Sequence, residues 1–476
     1  MKYYPLKIAL YLFFIHAFLA CSSKSNSKKT TEKIAAKPNI IVILLDDAGY
    51  ADFGFMGSED LETPHIDELA QSGVIFTDAH VSATVCAPSR AGLLTGIYQQ
   101  RFGFEANHTG DQYTGDIGLS DHVLTLADAL KTNKYNTVAI GKWHLGATQS
   151  DHPNQRGFDD FYGFLAGGRS YFPLKNPNKK KMLQHNGRKV NFEGYLTDVL
   201  GDYATSYIEQ HQKKPFFMYL SFNAVHTPME AKETDLEKFK NHPRQRLAAM
   251  TWSLDENIGK IRAKLAQLQQ LDNSLIFFLS DNGGAVNNES TNTPLKGWKG
   301  NKYEGGHRVP FILSWPKEIS PKKHFDGLTS SLDIFSTAMD ASKNETFDTQ
   351  HLDGVSLLPY LKAEKKGNPH NALFWRKLDE SAARMDAFKL IRLKGYGNRL
   401  YNLHNDIGET KDLSQTLDSV NKNMSTQLFD WEQQLMKPQW KEEKEWMDVT
   451  EHIHKSLMNN KKPQYTQPTK KRSKIQ

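Results

Sequence analysis

Cysteine is almost absent from this chain. Only Cys21 and Cys86 occur among 476 residues, which excludes a fold stapled by several disulfides. Long apolar runs are as scarce. The one extended stretch, residues 6–20, is shorter than the roughly 20 apolar residues a membrane-spanning helix needs. Charge of one sign is lacking too: 60 Lys and Arg stand against 54 Asp and Glu, a formal net charge of +6. Much of the basic excess lies in residues 24–37 and 461–474. Both stretches read as solvated tails, and no nucleic acid is expected as a partner. No internal repeat is visible.

What is present suits a folded body, with 38% hydrophobic and 24% charged residues. Its length suits one large α/β domain with an appendage, or two or three ordinary domains. The N-terminus reads as an export signal: Lys2, the apolar run, then Phe18-Leu-Ala-Cys21 and a polar stretch. It resembles a bacterial lipoprotein signal, with Phe18 where Leu is usual. The expectation is removal of residues 1–20, lipidation of Cys21, and a linker over 21–37. The protein is then periplasmic or at the cell surface, touching membrane only through its lipid anchor. A plain secretory signal is the alternative.

From residue 38 onward, short branched apolar runs alternate with helical spacing. Residues 38–50, 135–146, 214–228 and 273–284 each begin as a buried strand and end in polar groups. Helices are expected over 63–73, with Thr63 as cap, and over 123–133, 195–212 and 244–271. In the last of these the apolar positions are Leu247, Met250, Leu254, Ile258, Ile261, Leu265 and Leu268. The alternation predicts an α/β fold with a large, mostly parallel sheet flanked by helices. After residue 345 the pattern changes to short strands at 371–377, 385–396 and 399–414, then a helix over 416–436. A smaller C-terminal antiparallel α+β subdomain is expected there. The domain map is 38–345, 346–445, and an irregular basic tail over 446–476.

Ligand sites in parallel sheets lie at the C-terminal ends of the strands, where this sequence places its chemistry. Asp46, Asp47, Asp281 and Asn282 offer only oxygen, which suits Ca²⁺ or Mg²⁺, unless each caps a local turn. Arg90, Lys142, His144, His226 and Lys299 supply positive charge suited to an oxyanion of sulfur or phosphorus. Arg90 falls inside a helix expected to begin near Pro88, whose free N–H groups favour anions. Cys86 at that helix start, near cations, reads as a thiol of lowered pKa. A cysteine hydrolase with His144 or His226 as base would leave the oxygen-ligand cluster unexplained.

Taken together, these residues resemble the type I sulfatases of the alkaline phosphatase superfamily. The nucleophile motif matches Cys86-Ala-Pro-Ser-Arg90 and Leu93-Leu-Thr-Gly96, and a second motif matches Gly141-Lys-Trp-His-Leu-Gly146. Further matches run through residues 152–164, 223–228, 280–284, 295–310, 353–359 and 400–413. Thr84 and Lys134 depart from the usual pattern at noncatalytic positions. The resemblance implies oxidation of Cys86 to formylglycine (3-oxoalanine) by a formylglycine-generating or anaerobic maturation enzyme. It implies Cys86, Arg90, Lys142, His144, His226 and Lys299 as catalytic residues. Ca²⁺, with Mg²⁺ the alternative, would be held by Asp46, Asp47, Asp281, Asn282 and the modified Cys86. His226 would be the acid toward the leaving oxygen and His144 the base that releases sulfate.

With an export signal, the expected substrate is a sulfated oligo- or polysaccharide, such as ulvan or carrageenan. Glycosaminoglycan, phosphoester and phosphonate substrates are the alternatives. Arg169, Trp298 and His307 lie near the motifs and are expected to line the sugar subsite. A noncatalytic glycan-binding role is disfavoured because no catalytic position of the motif is missing.

Overall fold

The computed structural model describes residues 37–107, 117–461 and 463, so the segment expected to be an export signal, and Cys21, lie outside the described residues. Strand Asn39–Leu45 (NIIVILL) is buried at every position. A strand with no polar face belongs in the middle of a sheet covered on both sides, and that is where it sits. Ten strands run in the order Lys322–Phe325, Val74–Phe76, Phe311–Ser314, Ser274–Ser280, Asn39–Leu45, Phe216–Ser221, Asn136–Lys142, Asp160–Phe164, Gln184–His185 and Arg188–Lys189. The stretch from Ser274–Ser280 to Asp160–Phe164 is parallel throughout. Phe311–Ser314 and Gln184–His185 pair antiparallel at its flanks.

Strand alternation divides the interior into two cores. Ile40, Val42 and Leu44 pack with the Cys86–Thr95 helix and with Ile334 and Phe335. Ile41, Ile43 and Leu45 face Leu247, Met250, Leu254 and Ile258 of the long Gln245–Gln267 helix. The helical spacing read from the sequence is therefore the buried stripe of that helix. Leu268 falls at its C-cap and is only partly buried.

Four findings correct the sequence reading. Thr63 does not cap the Pro64–Gln71 helix; its hydroxyl accepts from Gly54 N at 2.9 Å and donates to Asp67 at 3.1 Å. The helix N–H groups of His65 and Ile66 donate instead to Asp255, at 3.1 and 2.8 Å, on the long helix. The catalytic body does not stop at residue 345, because Leu357, Leu358 and Leu361 join the core that holds Leu94 and Phe335. The small antiparallel sheet has four strands, Ala372–Lys377, Glu380–Met385, Phe388–Leu393 and Gly397–Asn402. The second was not expected, since ESAARM lacks branched apolar residues, yet Ala382 and Ala383 are fully buried. Finally, the expected tail begins with a helix, Lys444–Met458. Its Ile453 and Leu457 pack with Tyr303, Leu373 and Trp375 on one face of the small sheet. On the opposite face lies the Asp418–Glu432 helix, through Met424 and Leu428.

Asp255 caps a helix from a distance. Its replacement by Ala is expected to lower the unfolding free energy by about 1–2 kcal/mol, read by urea denaturation. Asp255→Asn should retain most of the stability, and an unchanged midpoint in the Ala variant would contradict the cap.

Candidate active site

Because the central strands are parallel, their C-terminal ends meet along one edge. Asp46 and Asp47 follow Asn39–Leu45, Lys142 ends its strand, and Asp281 and Asn282 follow Ser274–Ser280. His226 comes from the loop after Phe216–Ser221. The helix bearing Cys86 begins at Cys86 itself, with Pro88 in the first turn, where its missing N–H costs nothing. Asp47 and His144 both adopt left-handed backbone, at φ 63° and 60°. Such conformations persist only where surrounding structure enforces them. Gly141, at φ 97°, lets its strand close on the next: a Cβ there would lie 2.0 Å from Ser221 O.

The charged groups interlock. Lys142 Nζ donates to Asp46 Oδ2 at 2.7 Å. Arg90 Nε and Nη2 lie 2.8 and 2.7 Å from Asp281 Oδ2, and Nη2 lies 3.7 Å from Asp46 Oδ1. Arg90 Nη1 also donates to Lys142 O at 3.2 Å and to Ser221 Oγ. Lys299 Nζ sits between the Asp47 oxygens, at 2.7 and 2.8 Å. Asn282 Nδ2 donates to Asp47 Oδ1 at 2.8 Å, and Cys86 Sγ lies 3.9 Å from that oxygen. His226 Nε2 is 3.7 Å from Asp47 Oδ2, while its Nδ1 lies 2.6 Å from Thr227 O. His144 is buried against Gly167, where a Cβ would meet His144 Nε2 at 2.4 Å.

Burial grades across the cluster. The side chains of Asp46, Arg90, Lys142 and Asp281 are 0% exposed, whereas Lys299 and His226 reach 19% and 21%. The first four form a floor, and the other two open onto solvent. Burial disfavours the Asp46 carboxylate, but Lys142, His226, Arg90 and Lys299 overcome it and hold its pKa below the usual range. For Asp281 burial prevails over Arg90, and its pKa is pushed up to about 6. Burial disfavours the Lys299 charge as well, yet Asp47 keeps it protonated. Burial lowers the His226 pKa against the pull of Asp46 and Asp47. The thiol expectation is reversed: burial pushes Cys86 up to about 12, despite Lys142 and Lys299. As an unmodified thiol, Cys86 is a neutral group, not a thiolate nucleophile.

The oxygen donors of the cluster, on Asp46, Asp47, Asp281 and Asn282, suit a hard divalent cation. Asp46, Asp47, Cys86 and His226 place possible ligand atoms within 4.8 Å of one another. Asp46 Oδ1 and Asn282 Oδ1 are buried and accept no hydrogen bond among the described residues. Buried oxygens without partners are costly unless something else binds them.

Two of the expected sugar-binding residues are structural. His307 is fully buried, with Nδ1 3.0 Å from His80 Nδ1 and Nε2 2.8 Å from Lys389 Nζ. Its ring stacks on Trp375 at 3.9 Å, so it joins the catalytic body to the small sheet. Arg169 donates to the carbonyls of Ser170 and Lys181, at 3.1 and 3.0 Å, and braces its own loop. Trp298 is half-buried and packs against the Tyr303 core. Other supports escaped the sequence reading. Asn288 Nδ2 donates to Asp47 O and Val225 O, at 2.9 and 3.1 Å, tying two site loops together. Asn107 Oδ1 accepts from Ala87 N at 3.0 Å, beside Cys86. Its sequence signal was only an Asn in a polar stretch. Thr84, the departure from the motif, accepts Gly300 N–H on its carbonyl at 2.7 Å and Lys302 Nζ on its hydroxyl at 3.4 Å.

Residues 38–343 match a family model described as Sulfatase, and residues 297–434 match one described as N-sulphoglucosamine sulphohydrolase, C-terminal. The chain is 31% identical over 407 residues to the uncharacterized sulfatase YdeN of Escherichia coli (strain K12), covering 74% of this chain and 70% of that protein. It is 32% identical over 360 residues to N-acetylgalactosamine-6-sulfatase of Mus musculus, with 70% and 68% covered. Among solved structures, Ps i-CgsB in complex with k-i-k-neocarrahexaose is similar at a TM-score of 0.81 and 37% identity. That match covers 89% of this chain and 98% of the other.

Arg90 neutralises two carboxylates that cannot reach water. Arg90→Ala is expected to cost about 3–5 kcal/mol of stability, the penalty for stripping one partner from a buried pair. Denaturant unfolding of the purified variant measures it, and a loss below about 1 kcal/mol would mean that solvent enters the floor.

Proposed function

Because the chain belongs to the sulfatase family and is a sulfuric ester hydrolase, we propose that it removes sulfate from a carrageenan-type carbohydrate, using Cys86 as formylglycine. The observation that carries the catalytic part is the seat of Cys86, buried beside the Asp47 carboxylate that the solvent-reaching Lys299 and His226 also approach. The carbohydrate part is supported by likeness to a structure solved with a carrageenan oligosaccharide. Similarity to N-acetylgalactosamine-6-sulfatase favours a glycosaminoglycan as the second reading.

A formylglycine at position 86 would supply a hydrated aldehyde as nucleophile, and Asp46, Asp47, Asp281 and Asn282 would hold a Ca²⁺ ion that would supply Lewis acidity toward the sulfate. The remaining work belongs to side chains. Arg90 and Lys142 pair with Asp281 and Asp46 and place positive charge beside Cys86. Lys299, at the mouth, gives up part of its pairing with Asp47 to neutralise the incoming sulfate. An anion beside His226 favours its protonated form. Its Nε2 then donates to the leaving sugar oxygen while Nδ1 stays on Thr227 O. His144, buried beside Gly167, takes the proton whose removal releases sulfate. The proposed partners are thus a sulfated glycan and a maturation enzyme that reads Cys86 to Arg90. Export with a lipid anchor at Cys21 accords with a polymeric substrate that stays outside the cell.

Sulfate release, measured by ion chromatography, tests this reading. The protein is co-expressed with a maturation enzyme and given carrageenan, ulvan, fucoidan and chondroitin sulfate oligosaccharides. Release from carrageenan oligosaccharides is expected, with a loss of at least about a thousandfold in Cys86→Ala. Release from chondroitin sulfate alone would transfer the assignment to the second reading. EGTA treatment should also abolish turnover, with recovery on added Ca²⁺. Recovery with Mg²⁺ alone would change the metal.

A further inference from the structure

Lys299 reaches the site from a turn, residues 296–303, that is gripped from two sides. On the catalytic side, Lys299 N donates to Gly284 O at 3.1 Å, and Gly300 N donates to Thr84 O at 2.7 Å, two residues before Cys86. On the other side stands the Lys444–Met458 helix. His454, 2% exposed, accepts the Lys302 N–H on Nε2 at 3.1 Å. Its Nδ1 lies 3.1 Å from Thr450 O and 3.2 Å from Glu380 Oε1. Both are acceptors, so the proton belongs on Nδ1, and Nε2 is left as the acceptor the turn requires. Lys296 Nζ adds a bond to Asn460 Oδ1 at 2.8 Å, just past the helix. A Cβ on Gly300 would lie 3.6 Å from Thr450 Oγ1. The family matches end at residues 343 and 434, so neither includes this helix.

We propose that His454 is a positioning residue for Lys299. From the C-terminal helix it fixes the Lys302 backbone, and with it the turn that presents the Lys299 ammonium to Asp47 and to the sulfate. The inference rests on the reading of Lys299 given above. A group one ångström out of place can cost about a hundredfold in rate, so a buried hydrogen bond behind such a turn has catalytic weight without touching substrate.

Three full-length variants test it. His454→Phe fills the space but cannot accept the N–H, His454→Gln can accept it, and Met424→Ala weakens the remote core without touching the turn. Two quantities are read at a temperature where all are folded: amide exchange of the peptide covering 296–303, and kcat and KM for sulfate release. Kinetics use 4-nitrophenyl sulfate beside carrageenan oligosaccharides, so a wrong glycan is not mistaken for a wrong role. In His454→Phe, exchange in the turn should accelerate by roughly tenfold and kcat/KM fall by about tenfold. His454→Gln should restore both to within about twofold, and Met424→Ala should change neither. Unchanged exchange in His454→Phe overturns the proposal whether or not the enzyme turns over. Faster exchange with unchanged kcat/KM overturns it too, because the turn would then be held without consequence for Lys299. Absence of sulfate release by the wild type on every substrate would instead count against the reading of the site, with the exchange measurement still deciding whether His454 holds the turn.

Discussion

Three carboxylates, Asp46, Asp47 and Asp281, are packed at the end of an apolar sheet with almost no water to solvate them. Such an arrangement survives only with cations among the acids. Arg90, Lys142 and Lys299 provide them, one from a helix, one from a strand end and one from a turn. Each cation thereby pins a separate part of the chain to the same point. The sheet brings the acids together, and the charge pairing then fixes where the flanking elements must lie. Site geometry and structural integrity are one problem in this molecule, because the groups suited to an anionic substrate are those that neutralise the buried carboxylates.

The small C-terminal sheet is bound to the catalytic body by polar contacts that are themselves buried. Lys389 reaches Glu304 and His307, and His307 reaches His80. Burial holds His307 neutral, which lets it accept from Lys389 while passing a hydrogen bond on to His80. The turn carrying Lys299 lies just ahead of Glu304 and His307 in sequence. One short stretch, 296–307, thus spans the mouth of the site and the joint between the two sheets. The C-terminal helix packs on that stretch, so its place in the fold is nearer to the chemistry than its position in the chain suggests.

Much of this was legible in the sequence, and for physical reasons. A buried parallel strand needs an unbroken apolar run, and polar residues directly after it can only lie at the sheet's C-terminal edge. Asp46, Asp47, Lys142, Asp281 and Asn282 can therefore be placed together from the sequence alone. What escaped depends on partners distant in sequence. Asp255 caps a helix nearly two hundred residues before it, a relation invisible beside the plausible local cap Thr63. His307 resembled a surface ligand-binder because its partners, His80 and Lys389, are far off on either side. The strand Glu380–Met385 packs alanines where branched residues were sought. The helix Lys444–Met458 carries so many charges that its thin apolar stripe was lost in them.

The burial of Cys86 sets an order of events. In the folded chain Cys86 is 1% exposed, beside the Asp47 carboxylate that Lys299 and His226 also approach. No second protein can reach it there, and its chemistry as a neutral, desolvated thiol gives no foothold. On the proposed reading of Cys86, conversion to formylglycine therefore precedes closure of the fold, on a chain still extended enough to be gripped from Cys86 to Arg90. Once Arg90 has swung in to meet Asp281, the opportunity is gone. On that reading folding and maturation compete for the same few residues, and a population folded before conversion would be stable but permanently inert.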